Sequence, residues 1–235
     1  MHTAPAFDSD ARRDAGAAPA LVASRLWLDF VNTDDSRRAG RAEPRAADLR
    51  GDALQTFAAF VAWMRAAGAI DAERAAGLAR RAHQQPAGAA AALVDARRVR
   101  AALRQLAERG AASEAVRADA LAEINRILGR SAVTRRVDAR ADGSYARAFV
   151  SVGDAFAGLM IPVVDSAAEA LVTGELTRVR RCANARCNRV FYDATKNGRR
   201  RWCDMATCGN RAKAARHRAR VVPSADSAPL AHPPH

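Results

Sequence analysis

The chain has 235 residues, enough to bury a real core in one domain with an appendage or in two modest domains. It carries 38 Lys and Arg against 25 Asp and Glu, a net charge of +13. No stretch approaches the ~18 uninterrupted apolar residues of a membrane span, and the polar first twenty residues lack the apolar run of a secretory signal. The composition therefore speaks against a membrane or exported protein and leads us to expect a cytoplasmic one, in which structural disulfides are not expected.

Residues 1–20, rich in Ala, Pro and Asp, predict a disordered leader. In "LVASRLWLDFVNTDD", Leu21, Leu28 and Val31, with Trp27 and Phe30 close by, predict a short buried helix ending near Asn32. The polar stretch 34–51 predicts a loop. Asp52 is placed to cap the next helix, in which Leu54, Phe57, Phe60, Val61 and Met64 recur at helical steps up to Gly68. Residues 71–83 predict a third helix. Residues 87–109 predict a fourth, with Leu93, Val99, Leu103 and Leu106 inward and Arg97, Arg98 and Arg104 mostly outward. A fifth covers 113–129, with Glu114 early in it, where the helix dipole favours an anion. Residues 132–150 change character. Val, Thr, Tyr and Phe surround Asp142-Gly143 and predict a β-hairpin. Residues 154–175 return to helix, and Pro162 either kinks it or marks its true start.

Charge is distributed unevenly. Residues 178–220 hold 14 Lys and Arg against two acids, Asp193 and Asp204, while residues 1–177 hold 24 Arg against 22 acids. One 43-residue segment thus carries nearly the whole excess on a nearly neutral body. Such a cluster is the footprint of a polyanion binder, usually of nucleic acid; the plainer alternative is a solvated basic segment.

All four cysteines lie in that segment. Cys182 and Cys187 form one C-x4-C pair, fifteen residues follow, and Cys203 and Cys208 form another. Two close pairs separated by a short insert suit one tetrahedral zinc ion. Two disulfides, an iron–sulfur cluster and free buried thiols are the other readings. A four-thiolate zinc site is coordinatively closed and has no catalytic position. His217 is a further candidate ligand, but four thiolates already fill the shell.

The insert predicts a small ribbon. Val190 and Tyr192 alternate with Phe191, Asn197-Gly198 marks a turn, and "RRWC" returns to the second pair. Trp202 reads as a lid on the metal knuckle rather than a stacking platform. After Cys203, with Asp204 as N-cap, a helix places Met205, Cys208, Ala212, Ala215 and Ala219 on one stripe, able to lie against the metal module. The other faces carry Asn210, Arg211, Lys213, Arg216, His217, Arg218 and Arg220. With Arg199, Arg200 and Arg201 of the ribbon, these are the candidate nucleic-acid contacts. Arg can bind phosphate or guanine, and Asn210 adenine, if the helix enters a major groove. The Pro- and Ser-rich residues 221–235 predict a disordered tail.

The run "CANARCNRVFYDATKNGRRRWCDMATCGNRAKAARHRAR" closely resembles the CGNR zinc finger, whose name is spelled at Cys208–Arg211. The body resembles the ABATE domain that usually precedes this finger, with "LDFVNT" at Leu28–Thr33 as marker. Together they resemble two-domain bacterial proteins described as stress-induced transcription regulators. The resemblance implies one zinc per chain on Cys182, Cys187, Cys203 and Cys208, a duplex DNA partner, and a nucleoid-associated, cytoplasmic place. It implies an expected fold that is mainly α (α+β). The ABATE-like helical domain would span 21–176 with a small hairpin, followed by a zinc-bound ββα-like finger over 178–220. The helical domain is expected to sense a small-molecule effector, to form a homodimer, or both. RNA or unspecific duplex is the alternative target, and a protein-interaction module the alternative use of the finger. A further alternative gives the N-terminal domain an enzymatic or small-molecule-binding activity, although no phosphate loop, nucleophile elbow or metalloprotease helix appears. Asp29, Asn32, Asp34 and Asp35 form a polar cluster near Trp27 that could hold a small ligand or metal. The same residues also read as a helix end, with Asn32 as its C-cap and the aspartates solvated.

Overall fold

The computed structural model describes residues 25–34, 52, 54–130, 133–139, 145–151 and 156–221. The expected leader, most of the 34–51 loop with Asp35, the Asp142-Gly143 turn and the tail from residue 222 lie outside them. Helix α1 (Leu26–Val31) is apolar around most of its circumference, and a helix of that kind has to be buried. Trp27, Leu28, Phe30 and Val31 are each 0% exposed. The helix packs between α4 (Pro86–Arg109) and α6 (Ile161–Val172).

Helix α2 (Phe57–Ala66) begins at Thr56, whose hydroxyl accepts from the Ala59 N–H at 3.1 Å. The expected cap, Asp52, is engaged elsewhere: its carboxylate is buried against Arg100, and the start of the helix falls to Thr56. Asp71 caps α3 (Ala72–Gln84) by accepting from the Arg74 N–H at 2.7 Å. Pro86 opens α4, where its missing N–H leaves no helical bond unmade. Helix α5 (Glu114–Arg130) packs on α4 and α6. Rings seal the core from α1 to the turn before α6: Phe30 meets Trp63 at 5.3 Å and Phe57 meets Phe156 at 5.3 Å between centroids.

Strands β1 (Val133–Ala139) and β2 (Tyr145–Ser151) form the expected antiparallel hairpin, with Val133 opposite Ser151 and Ala139 opposite Tyr145. Helix α6 starts at Ile161 with Pro162 in its first turn, so the proline marks a start and not a kink. No helix among the described residues is long and apolar enough to cross a membrane.

A short 3-10 turn, Glu175–Arg178, leads into β3 (Val179–Arg181), which pairs antiparallel with β4 (Val190–Tyr192). This corrects the expected ribbon. The partner of β4 precedes the first cysteine and is not "RRWC". The Asp193 carboxylate accepts from the backbone of Thr195 and of Arg200, at 3.0 and 2.8 Å, and so closes residues 193–200 into a loop. Gly198 sits in that loop at φ +60°, a left-handed conformation that favours glycine. The order β3, β4, α7 (Asn210–Val221) preserves a ββα finger.

The ribbon has two buried faces. Val179 and Val190 join the core of the helical body, whereas Phe191 joins the cysteines. The two-residue period of a strand thus sends alternate side chains into two different cores.

Candidate metal centre and nucleic-acid interface

The first cysteine pair is held by backbone. The Cys182 N–H donates to the Arg189 carbonyl at 2.9 Å and the Cys187 N–H to the Asn184 carbonyl at 2.8 Å. Inside this pair the Asn184 side chain accepts from the Arg186 N–H at 3.1 Å, an Asx-type turn that accommodates the long x4 gap. The Ala183 N–H donates to the Arg201 carbonyl at 2.8 Å and ties the two knuckles together. In the second pair, Asp204 caps a wide π-type turn, Met205–Gly209, by accepting from the Thr207 N–H at 2.7 Å.

These constraints bring all four Sγ atoms within 4.8 Å of one another. Cys203 lies 3.7 Å from both Cys187 and Cys208. A tetrahedral ion with Zn–S bonds of ~2.3 Å requires S–S separations of about 3.8 Å, so the thiols have the right spread. All four are buried, with Phe191 and the partly buried Trp202 packed around them. Burial, with the neighbouring Cys187 and Cys182 sulfurs, pushes the Cys203 thiol far above its ordinary range. Burial also pushes Cys187 up. At Cys208 burial acts the same way, but hydrogen bonds from Asn184 and the other thiols outweigh it and bring the group down. Four buried sulfurs cannot all ionise without a compensating cation. The centre therefore fits one zinc ion held by Cys182, Cys187, Cys203 and Cys208.

Around this centre the cations divide into two kinds. Arg200 is turned inward: it donates to the Trp202 carbonyl at 2.9 Å and to the Cys203 carbonyl, and its guanidinium lies 4.9 Å from the Phe191 ring centroid. Arg199 and Arg201 are exposed, with Arg201 over Trp202 at 5.2 Å. Asn210, Arg211, Lys213, Arg216, His217 and Arg218 are exposed along α7. Among the described residues no acidic side chain forms a salt bridge with Arg199, Arg201, Arg211, Lys213, Arg216 or Arg218.

Of the expected small-residue stripe, Cys208 is buried in the metal cluster, but the described positions on either side of it do not pack closely. Met205 is 51% exposed, Ala215 is exposed, and Ala212 is half-buried. Alanine methyls bury too little area to hold a helix whose other faces are charged, so α7 stands away from the metal module from Lys213 to Arg218, which are all exposed.

The candidate ligand cluster on α1 occupies another setting. Trp27 and Asp29 are buried, and Asn32 is the C-cap of α1. The Asn32 side chain also donates to the Val190 carbonyl at 2.9 Å and accepts from the Val190 N–H at 2.9 Å. A groove of about 680 Å³ opens elsewhere, between α2, α3 and α4, lined by Phe57, Val61, Arg65, Ala79, Ala82 and Leu93.

Sequence reasoning missed the polar groups beneath the finger. Arg100 forks onto Asp52 with two 2.6 Å bonds and donates to the Thr33 hydroxyl at 2.9 Å. Arg104, expected outward, is 4% exposed and donates to the Asn188 carbonyl at 2.9 Å. Arg25 pairs with Glu175 at 2.6 Å and lies 4.6 Å from the Tyr192 ring centroid. The signal available was spacing. Arg100 and Arg104 are four residues apart and adjoin Val99 and Leu103 on the inward side of α4.

Two family models match the chain. The CGNR zinc finger covers residues 178–221. ABATE, described as "Putative stress-induced transcription regulator", covers residues 24–175. A search of curated proteins returns no match.

Proposed function

Because the chain belongs to the ABATE family and carries a CGNR zinc finger, we propose that it is a non-enzymatic, zinc-dependent transcription regulator that binds duplex DNA, with stress response as its setting. The observation that carries this reading is α7. Asn210, Arg211, Lys213, Arg216, His217 and Arg218 are exposed on it, so that cations cover the faces beside its alanine stripe, directly after a buried four-thiol centre. A helix so charged repels itself, and phosphates relieve that repulsion while releasing counterions. In this reading Arg199, Arg201, Arg211, Lys213, Arg216 and Arg218 meet phosphates. Asn210 and Arg211, at the start of the helix, are placed to read bases, and His217 lies on the same exposed surface. Arg200 acts from inside by holding the loop that displays its neighbours. Zinc supplies the fold that the small finger cannot obtain from apolar burial.

The helical body takes the regulatory half of the role, as a ligand-sensing or dimerising unit. Its groove between α2, α3 and α4 has the volume of a small-molecule site. The protein then works in the cytoplasm, associated with the nucleoid.

Selection from a random duplex pool, with and without chelator and in competition with RNA and single strands, tests the proposal. Enrichment of a defined duplex sequence, abolished by chelation, is the expected result. Preference for RNA, unspecific duplex binding or chelator-insensitive binding would each overturn it.

A further inference from the structure

We infer that Asn32 is a latch joining the finger to the helical body, so that metal occupancy in one and folding of the other form a single cooperative unit. The latch acts on a strand edge. On its inner side β4 is paired: the Arg189 carbonyl accepts from Cys182 N–H at 2.9 Å, and the Asp193 N–H donates to the Arg178 carbonyl at 2.9 Å. Successive peptide groups along a strand point to opposite edges, so the N–H and carbonyl of Val190 face outward. A two-stranded ribbon leaves such an edge unpaired. Asn32 fills it, donating to that carbonyl and accepting from that N–H, each at 2.9 Å. A side-chain amide offers a donor and an acceptor side by side, as a neighbouring strand would.

Three further contacts close the same joint. Arg104 holds the Asn188 carbonyl two residues upstream. Arg25 bridges Glu175 and the Tyr192 ring. Val179 and Val190 are part of the same apolar core as α1 and α4. On the opposite side of the ribbon, Arg189 fixes the backbone of Cys182 and Phe191 packs on the cysteines. One short strand therefore contacts the body with one edge and face and the metal ligands with the other. Loosening the cysteines loosens the strand, and that exposes the end of α1. Linkage requires the reverse effect to be equally large.

The inference does not depend on nucleic acid, so its failure and that of the DNA reading are separable. Hydrogen exchange is measured on the full chain, zinc-loaded and chelator-stripped, without DNA. Stripping is expected to accelerate exchange of α1 amides by about tenfold or more, the scale of two lost hydrogen bonds. Asn32→Asp keeps the size and the backbone cap but sets a second acceptor against the Val190 carbonyl. In N32D, α1 should exchange fast even with zinc, and chelator competition should show zinc affinity weakened by a similar factor. Arg25→Gln, at the half-exposed rim of the joint, should weaken zinc affinity in the same direction by less, which keeps the test available if N32D does not fold. Wild-type α1 exchange indifferent to zinc, or wild-type zinc affinity in N32D or R25Q, would overturn the latch.

Discussion

Replacing Arg100 with Met strands a buried carboxylate inside the helical body. Arg100 and Asp52 are 7% and 6% exposed and joined by two 2.6 Å hydrogen bonds, and the same guanidinium serves Thr33 at 2.9 Å. Removing one partner of such a buried pair costs about 3–5 kcal/mol, because the other charge remains desolvated. For a chain of this size that is a fall in Tm of roughly 6–20 °C. Thermal and urea unfolding of the zinc-loaded protein measure it. The pH dependence adds a sign. Burial alone would raise Asp52, but the bonds from Arg100 and the Leu54 N–H, with the Arg100 and Arg97 charges, outweigh it and hold the group below the ordinary carboxylate value. A depressed folded value means that its contribution is complete above the unfolded value of about 3.9 and is lost as pH falls through the folded one. In R100M the main lowering cause is gone and burial raises Asp52. The penalty of that variant should therefore shrink as pH falls from 7 toward 4. Asp52→Asn added to R100M should recover part of the loss at pH 7. A loss in R100M below ~1 kcal/mol, or no recovery in the double variant, would refute the reasoning.

Cys187→Ser and Cys203→Ser should each abolish stoichiometric zinc binding, one ion per chain in the wild type, as read by metal analysis of the purified protein; full retention in either would contradict the ligand set. Lys213→Ala and Arg218→Ala should each flatten the slope of log affinity for duplex DNA against log salt by ~0.9 while leaving zinc content unchanged. Arg200→Ala should instead destabilise the finger, seen as weaker zinc affinity, because its guanidinium holds the Trp202 and Cys203 carbonyls. Glu175→Gln, at a partly exposed ion pair with Arg25, should cost no more than ~1 kcal/mol in urea unfolding.

Most helices could be read along the chain because their apolar residues repeat at helical steps, and because Asp71 and Pro86 are local start signals. The metal ligands were legible for a related reason: two knuckles of fixed spacing are a property of the chain and need no knowledge of its path. The ribbon partner was not legible. "RRWC" and "VRR" are both short, basic and within reach of "VFY", and local pattern does not choose between them. The choice was made by Asp193, whose carboxylate draws the Arg200 backbone into a loop. The place of Arg104 was not legible either, because helical pattern alone sends a charged residue toward solvent. At that position α4 meets the finger's own backbone, where the Asn188 carbonyl accepts from Arg104.

By itself, the sequence determined the helical body, the four-thiol centre and the concentration of positive charge beside it, since each follows from residue type at short spacing. The tertiary structure alone decided that the two parts share a ribbon, that Asn32 and Arg104 reach across to the finger's backbone, and that α7 is exposed from Lys213 to Arg218. Those outcomes depend on which backbone groups are left unpaired once the strands and knuckles have formed. That inventory exists only after distant segments meet: the partners of Asn32 and Arg104 lie 158 and 84 residues away.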